Sequence, residues 1–345
     1  MKEIVIYGTG KWGKRAYDFL KRIGCNISFF CRTQAEEHEI FCDLKVLKIA
    51  DLIENYREDL IIMVAIRDRR IVADIRKRLL YAKYKERQII EINHFLLDNT
   101  DIAVDSLIQE STEEYFCVGC NNSIGRFLAD GKTSELFEKY RVIGGGYRDG
   151  NVCPLCGITD RVRWQKYVLE NFTNIFQERC CVLHIAPEDF IYPLIRRNVA
   201  CDYYTGDIEL GKAQNKIDLT DIQFRDNFFD YIIANHVLEH IKEIDRAFGE
   251  IKRVLKPRGK LILSFPVCKN IKTREELVDL SEEERLMNFG QRDHVRLFGY
   301  DYKEYIEKYG FYVEVISPEN ILDIEKIKKY SFIKDDILLF CSKNK

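Results

Sequence analysis

Two Cys-x-x-Cys pairs constrain this 345-residue chain more tightly than any other feature. They are Cys117-Val118-Gly119-Cys120 and Cys153-Pro154-Leu155-Cys156, and 32 residues separate the second cysteine of the first pair from the first of the second. Four thiolates fill a tetrahedral zinc shell and leave no position for water, which marks a structural rather than a catalytic metal. Gly119, Pro154 and the following Gly157 are small or turn-forming, as two tight knuckles require. Between the pairs the chain shows the run Gly144-Gly145-Gly146 and little regular periodicity, so metal binding must supply much of the folding energy of this stretch. A redox pair is the competing reading, but it should open a helix in a thioredoxin-like unit, whereas these pairs sit among turns. The spacing predicts a zinc ribbon over residues 116–163.

The bulk numbers narrow the surroundings. Lys plus Arg total 54 against 56 Asp plus Glu, a formal charge of -2, so no overall field draws the chain to nucleic acid or anionic lipid. No apolar run is long enough to span a membrane, and Met1 to Gly10 lacks a secretory pattern, from which a soluble cytoplasmic protein is expected. The other eight cysteines (Cys25, Cys31, Cys42, Cys180, Cys181, Cys201, Cys268 and Cys341) lie mostly among apolar residues, as buried thiols do.

On either side of the cysteine segment the hydrophobic pattern alternates between strand and helix, which predicts α/β units with parallel sheets. In the N-terminal unit, residues 1–97, strands are expected at Glu3 to Tyr7, Ile27 to Cys31, Leu60 to Ala65 and Gln88 to Ile92, with a helix from Arg70 to Tyr81. Residues 98–115 read as a polar linker. In the C-terminal unit, residues 164–345, strands are expected at Cys181 to Ile185, Ala200 to Thr205, Lys216 to Leu219, Phe229 to Asn235, Lys260 to Pro266, Tyr312 to Ile316 and Ile337 to Ser342. Ile244, Phe248, Ile251 and Leu255 mark one helical face that stops at Lys256-Pro257-Arg258-Gly259. Asp207, Asp218 and Leu219 then fall at the carboxyl ends of strands, where open α/β sheets bind ligands.

The string FDYIIANHVLEHI from Phe229 to Ile241, followed by a helix and KPRGKLILSFP, resembles the class I S-adenosylmethionine (SAM) dependent methyltransferases with a methyltransferase-11-type domain. LHIAPE, Leu183 to Glu188, is similar to a subgroup in which this string replaces the glycine turn, often behind a zinc ribbon and ahead of a QRDHVRLFG-like segment, here Gln291 to Gly299. The resemblance covers Cys180 to Lys345 and implies a mostly parallel seven-stranded sheet. It further implies that His184, Ala186, Pro187 and Glu188 present backbone groups to the methionine moiety, with Asn235 at the end of the fourth strand beside them. Asp207 would accept hydrogen bonds from the ribose hydroxyls, and Asp218 and Leu219 would flank the adenine. Without glycines at Ala186 and Pro187 the close backbone approach is expected to be rearranged. His236, Glu239, His240 and His294 are candidate bases for a hydroxyl acceptor. The implied acceptor is a small molecule or glycan, such as a sugar hydroxyl in surface-polysaccharide synthesis.

Gly8-Thr9-Gly10-Lys11-Trp12-Gly13 fits GxGxxG between a strand and a helix, a spacing that can seat a phosphate at the helix N-terminus. The acid expected about 20 residues on is missing, and Arg32 stands near the end of the second strand instead. The region resembles small Rossmann-like domains beside bacterial sugar- and polysaccharide-modifying enzymes. That leaves three readings of this unit: a nucleotide or nucleotide-sugar site at Gly8, Gly10 and Gly13, an NAD(P)-dependent enzyme centred there, or a structural docking unit. A scaffold that has lost its chemistry is the remaining reading of the whole chain.

The cysteine spacing generates a direct expectation. The purified chain should carry one zinc held by Cys117, Cys120, Cys153 and Cys156, and Cys153→Ser should release it and destabilise the middle segment. Metal analysis of the two proteins decides the point, since undiminished zinc in the variant would be incompatible with this ligand set.

Overall fold

The computed structural model describes residues 3–22, 25–66, 68–85, 88–91, 115–131, 134–154, 156–275 and 279–344. It divides into two compact units: Met1–Ala129 with Asp149–Thr159 and Lys329–Ser331, and Asp130–Arg148 with Asp160–Lys328 and Phe332–Lys345. The division cuts across the expected limits of the cysteine segment, because residues 130–148 and 160–163 pack with the C-terminal unit. The expected linker falls, from 98 to 114, outside the described residues, as does the expected end of the first unit at Leu97.

In the first unit a six-stranded sheet runs in the order Ile40–Phe41, Leu44–Lys48, Ile27–Arg32, Glu3–Tyr7, Leu60–Val64, Ile89–Glu91. The first pair is antiparallel and the other four pairings are parallel. Alternate residues of the central strand enter separate cores: Ile4 and Ile6 join Ala16, Leu20 and Phe30, while Val5 and Tyr7 join Leu52, Val72, Ile75 and Leu79. A strand apolar on both faces must be covered on both, which is why Glu3–Tyr7 lies in the middle of the sheet.

The second unit holds the seven-stranded sheet that the resemblance implies. Its spatial order is Asn215–Lys216, Asp202–Asp207, Cys181–Ile185, Phe229–Ile233, Leu255–Leu263, Leu338–Lys343, Phe311–Ile316. Leu338–Lys343 runs antiparallel to both its neighbours, and the remaining pairings are parallel. The helix Ile244–Val254 buries Ile244, Ala247, Phe248, Ile251 and Val254, spacings of three and four that form one apolar stripe against this sheet. It ends where Pro257 would remove a backbone donor.

In the first unit the strands Ile40–Phe41 and Leu44–Lys48 are not among those expected, and three further differences fall in the second unit. The helix Asp160–Phe172 escaped it because Asp160, Arg163, Gln165 and Lys166 are buried beside Trp164, Val168 and Leu169, and buried polar side chains erase the apolar period. The strand expected over Lys216 to Leu219 is the two-residue Asn215–Lys216, because the Asp218 carboxylate accepts the N–H and hydroxyl of Thr220 and turns the chain. The polar run around His294 leads into a buried strand, Arg296–Gly299, which joins Val142–Ile143, Val267–Cys268 and Arg274–Glu275 in a four-stranded sheet.

Asp336 is buried in the second unit, where it accepts the Ile337 N–H at 2.9 Å. Burial and the like charge of Asp160, against the opposing charges of Arg161 and Arg148, raise its carboxyl to about 7. The folded chain thus holds a proton that the unfolded chain releases near pH 4. Stability from this group is full below that pH and is lost as pH rises toward and through 7. Asp336→Asn should shrink the stability difference between pH 5 and pH 8 by on the order of 2–4 kcal/mol, read by urea unfolding at both pH values. An unchanged difference would mean that the carboxyl ionises normally in the fold.

Candidate functional site

The four cysteines of the two knuckles come together in the first unit, all buried, with Sγ atoms within 4.8 Å of one another. Cys117 and Cys156 lie 3.8 Å apart and Cys120 and Cys153 3.9 Å apart. Zinc–sulfur bonds of ~2.3 Å place the corners of a tetrahedron about 3.8 Å apart, which these two separations match. Each knuckle closes in the same way. The N–H of Asn121 donates to the Cys117 carbonyl and that of Gly157 to the Cys153 carbonyl, and both residues have positive φ. A side chain at Gly119 would meet Ile158 at 2.7 Å, which explains the glycine inside the first pair.

The glycine turn of the first unit is built for close packing. Gly8 has φ +121°, and a Cβ on Gly13 would lie 1.9 Å from the Gly8 carbonyl oxygen, so the helix Lys11–Arg22 starts hard against the turn. Gly10 faces open space. Arg32 is paired with Glu39 at 2.7 Å, which reduces the charge it could offer a phosphate.

In the second unit a cavity of about 580 Å³ opens at the carboxyl ends of the parallel strands. Ala186, Asp207, Asp218, Leu219 and His236 line it, together with Ile185, Lys212, Val237 and His240. It sits where the strand order turns back on itself. From Cys181–Ile185 the chain moves to Asp202–Asp207 on one side and later returns to Phe229–Ile233 on the other. The two loops that part at this point carry strained residues: Ala186 has φ 46° and His236 φ 53°. Ala186 holds its turn by donating its N–H to the Gly206 carbonyl at 2.8 Å, and His236 by donating to the Ser264 carbonyl at 2.8 Å. Ala186 therefore adopts the left-handed conformation that a glycine would take at no cost.

Several residues expected beside the cofactor lie behind the cavity instead. His184 is fully buried within its strand and registers with Thr205 and Ile233, so its backbone belongs to the sheet and cannot be presented to a ligand. Its ring bridges the Tyr203 hydroxyl at 2.9 Å and the Glu188 carboxylate at 2.6 Å. Glu188 also accepts from Asn235 at 3.1 Å and Gln165 at 3.3 Å. Burial pushes the Glu188 carboxyl up, but the His184 ring and the Asn235 amide outweigh it and hold the group down at about 2. None of His184, Pro187, Glu188 and Asn235 is among the residues lining the cavity.

The candidate bases gather around the turn Leu238–His240. His236 is half-buried, with Nδ1 3.3 Å from Glu239 Oε1 and both ring nitrogens 3.1–3.2 Å from Arg161 Nη1. Burial and the Arg161 charge lower its basicity, with Glu239 opposing them. The His294 ring packs edge-on against His240, centroids 4.7 Å apart, and burial lowers its basicity as well. His294 does not line the cavity itself, being only 3% exposed; His240 stands between. Sequence reasoning missed Arg161, Tyr203 and Gln165, whose roles depend on which strand ends meet, and no local signal announces them.

Residues 194–263 match a family described as a methyltransferase domain. Among curated proteins the chain is similar to phosphoethanolamine N-methyltransferase 2 of Caenorhabditis elegans, 36% identical over 53 residues that cover 14% of this chain and 12% of that protein. It is also similar to an uncharacterized protein of Methanocaldococcus jannaschii, 41% identical over 56 residues that cover 16% of this chain and 24% of that one. The chain thus spans less than a quarter of the length of either relative. Similar solved structures include a SAM dependent methyltransferase from Aquifex aeolicus, with 15% identity, 51% of this chain and 87% of that chain covered, and a TM-score of 0.30. Another is the CurJ carbon methyltransferase, with 12% identity, 53% of each chain covered and a TM-score of 0.34.

The strained turn generates a stability prediction. Ala186→Gly should relieve the left-handed φ and raise unfolding stability by roughly 0.5–1 kcal/mol, after the added freedom of the unfolded chain is counted. A loss of stability in urea unfolding would show that the alanine methyl contributes packing that outweighs the strain.

Proposed function

We infer that this chain is a methyltransferase of the class I, SAM-dependent kind whose domain family residues 194–263 match, acting on a small-molecule or glycan acceptor. The observation that carries the reading is the convergence of Ala186, Asp207, Asp218, Leu219 and His236 on one cavity of about 580 Å³, a size suited to a nucleoside-bearing ligand. Asp207 has one carboxylate oxygen engaged by the Glu209 N–H, which leaves the other for the ribose hydroxyls. Leu219 supplies an apolar wall for the adenine and Asp218 the polar edge beside it. A sulfonium is already a good leaving group, so the protein's task is to align the acceptor with the methyl group and exclude water. The acceptor oxygen bonds to the methyl carbon as the carbon–sulfur bond breaks, the electron pair stays on sulfur, and the hydroxyl proton leaves.

A hydroxyl acceptor, in the form of a sugar of a surface polysaccharide, is the substrate class we favour. The neutral imidazole of His236 beside the cavity is suited to take such a proton. The four-cysteine cluster would hold zinc as a structural element. For the first unit we retain a nucleotide or nucleotide-sugar at Gly8, Gly10 and Gly13, because the packing of Gly13 on Gly8 gives the close helix approach such a site needs. Cytoplasmic residence accords with a chain whose described cysteines stand as thiols.

Calorimetry on the full chain tests the assignment. SAM should bind, and Asp207→Ala should weaken it by roughly 1.5–3 kcal/mol, the scale of hydrogen bonds to a charged group. Tight NADH binding with no SAM binding would move the chemistry to the first unit.

A further inference from the structure

We propose that Glu239, His240 and His294 form a binding site for a divalent first-row transition-metal ion at the edge of the cavity, separate from the four-cysteine cluster. One ligand atom from each lies within 4.8 Å of the other two. Bonds of ~2.0–2.2 Å set adjacent ligand atoms roughly 3–4 Å apart, so a cation there would draw the three side chains toward one another. Two imidazoles and one carboxylate suit Mn²⁺, Fe²⁺, Co²⁺ or Zn²⁺, and three protein ligands leave coordination positions open.

Two unsatisfied atoms argue that something belongs there. Glu239 is 2% exposed, and its Oε2 has no hydrogen-bond partner among the described residues; its Oε1 has only the 3.3 Å approach of His236. His294 is 3% exposed, and its Nδ1 is likewise without a partner. A buried carboxylate oxygen and a buried ring nitrogen, both unsatisfied and both beside His240, are costly unless a cation or a proton donor joins them.

The surroundings are arranged as those of metal ligands are. His240 Nδ1 lies 3.2 Å from the Asp293 carboxylate, a contact that fixes the ring and leaves Nε2 to coordinate. Val295 donates its N–H to the Glu239 carbonyl at 2.9 Å, which locks the segment carrying His294 to the turn carrying the other two ligands. Arg296 reinforces the lock through the carbonyls of Leu238 and Ile241. His240 and Asp293 both line the cavity that Ala186, Asp207 and His236 share, so an ion here faces the proposed acceptor space. When bound, it supplies Lewis acidity to an acceptor hydroxyl or vicinal diol. That use rests on the methyltransferase reading, whereas binding of the ion does not.

The experiment is a Mn²⁺ titration of the full chain carrying a single equivalent of zinc, which the softer thiolate cluster takes first, with free Mn²⁺ read by electron paramagnetic resonance and SAM binding measured in parallel by calorimetry. Mn²⁺ is a poor competitor for a thiolate shell, so it reports this site rather than the cysteine cluster. One Mn²⁺ per chain is expected. Glu239→Gln, which keeps shape but removes charge, and His240→Asn should each weaken it by at least about tenfold. Circular dichroism and urea midpoints close to those of the parent chain would show that the fold survived, and His294→Ala serves where either variant is unstable. No Mn²⁺ bound to the parent chain at millimolar concentration, or equal binding in all three variants, overturns the proposal. If Mn²⁺ binds as expected while SAM does not, the metal site stands and the methyltransferase reading falls.

Discussion

The Arg296 guanidinium is the contact on which the arrangement of the cavity edge depends. Its side chain is almost wholly buried, and it donates to the carbonyls of Leu238 at 2.8 Å and Ile241 at 3.0 Å while pairing with Glu275 at 2.8 Å. Those carbonyls flank the short turn that leaves the fourth strand of the large sheet, where backbone acceptors would otherwise be buried without donors. A guanidinium can satisfy two carbonyls and a carboxylate at once because its donors are fixed in a planar fork; a lysine could not reproduce the pattern. Glu275 is held in turn by the Tyr305 hydroxyl at 2.8 Å. The result is that Glu239 and His240, on one side of the clamp, and His294, on the other, are brought together although more than fifty residues of chain separate them.

Above this clamp, the cavity exists because two neighbouring strands lead into residues with left-handed backbone. Ala186 follows Cys181–Ile185 directly and His236 stands three residues past the end of Phe229–Ile233, and the two strands pair side by side in parallel. Each turn carries a conformational cost of about 1–2 kcal/mol for a residue with a Cβ, maintained by the surrounding sheet. The loops diverge there, and the space between them is the crevice that open α/β sheets present at the reversal of strand order. Behind it, the Tyr203–His184–Glu188–Asn235 network ties the ends of three strands together. These groups shape the site from beneath without facing it.

The cysteine segment shows how a four-cysteine cluster can be interrupted in sequence without being disturbed. The chain between the two knuckles leaves the first unit at Asp130 and returns at Asp149. On that excursion Val142–Ile143 pairs antiparallel with Val267–Cys268, and Leu136, Tyr140 and Val142 pack around Cys268, Phe289 and Leu297. A long insertion costs little in closure entropy once the four thiolates fix its ends. The irregular composition of the span therefore reflects membership in two units rather than a lack of structure.

Much of this was legible in the sequence, and the legible part has a common cause. Strand and helix periods depend on near neighbours, so the central strands of both sheets and the Ile244–Val254 helix could be read from their apolar spacing, and the knuckles from the spacing of their cysteines. The carboxyl-end positions of Asp207, Asp218 and Leu219 followed once strand polarity was assigned. What only the tertiary structure decided depends on distant partners. It decided that the His184 ring is taken up by Tyr203 and Glu188 rather than offered to the cavity. It decided that Ala186 could take a glycine's conformation, because the Gly206 carbonyl holds it. It placed the helix Asp160–Phe172, hidden by buried polar side chains whose partners lie far away in sequence. And it led the polar-looking run around His294 into the buried strand Arg296–Gly299, because Arg296 finds in the Leu238 and Ile241 carbonyls and in Glu275 a set of acceptors that no local pattern could reveal.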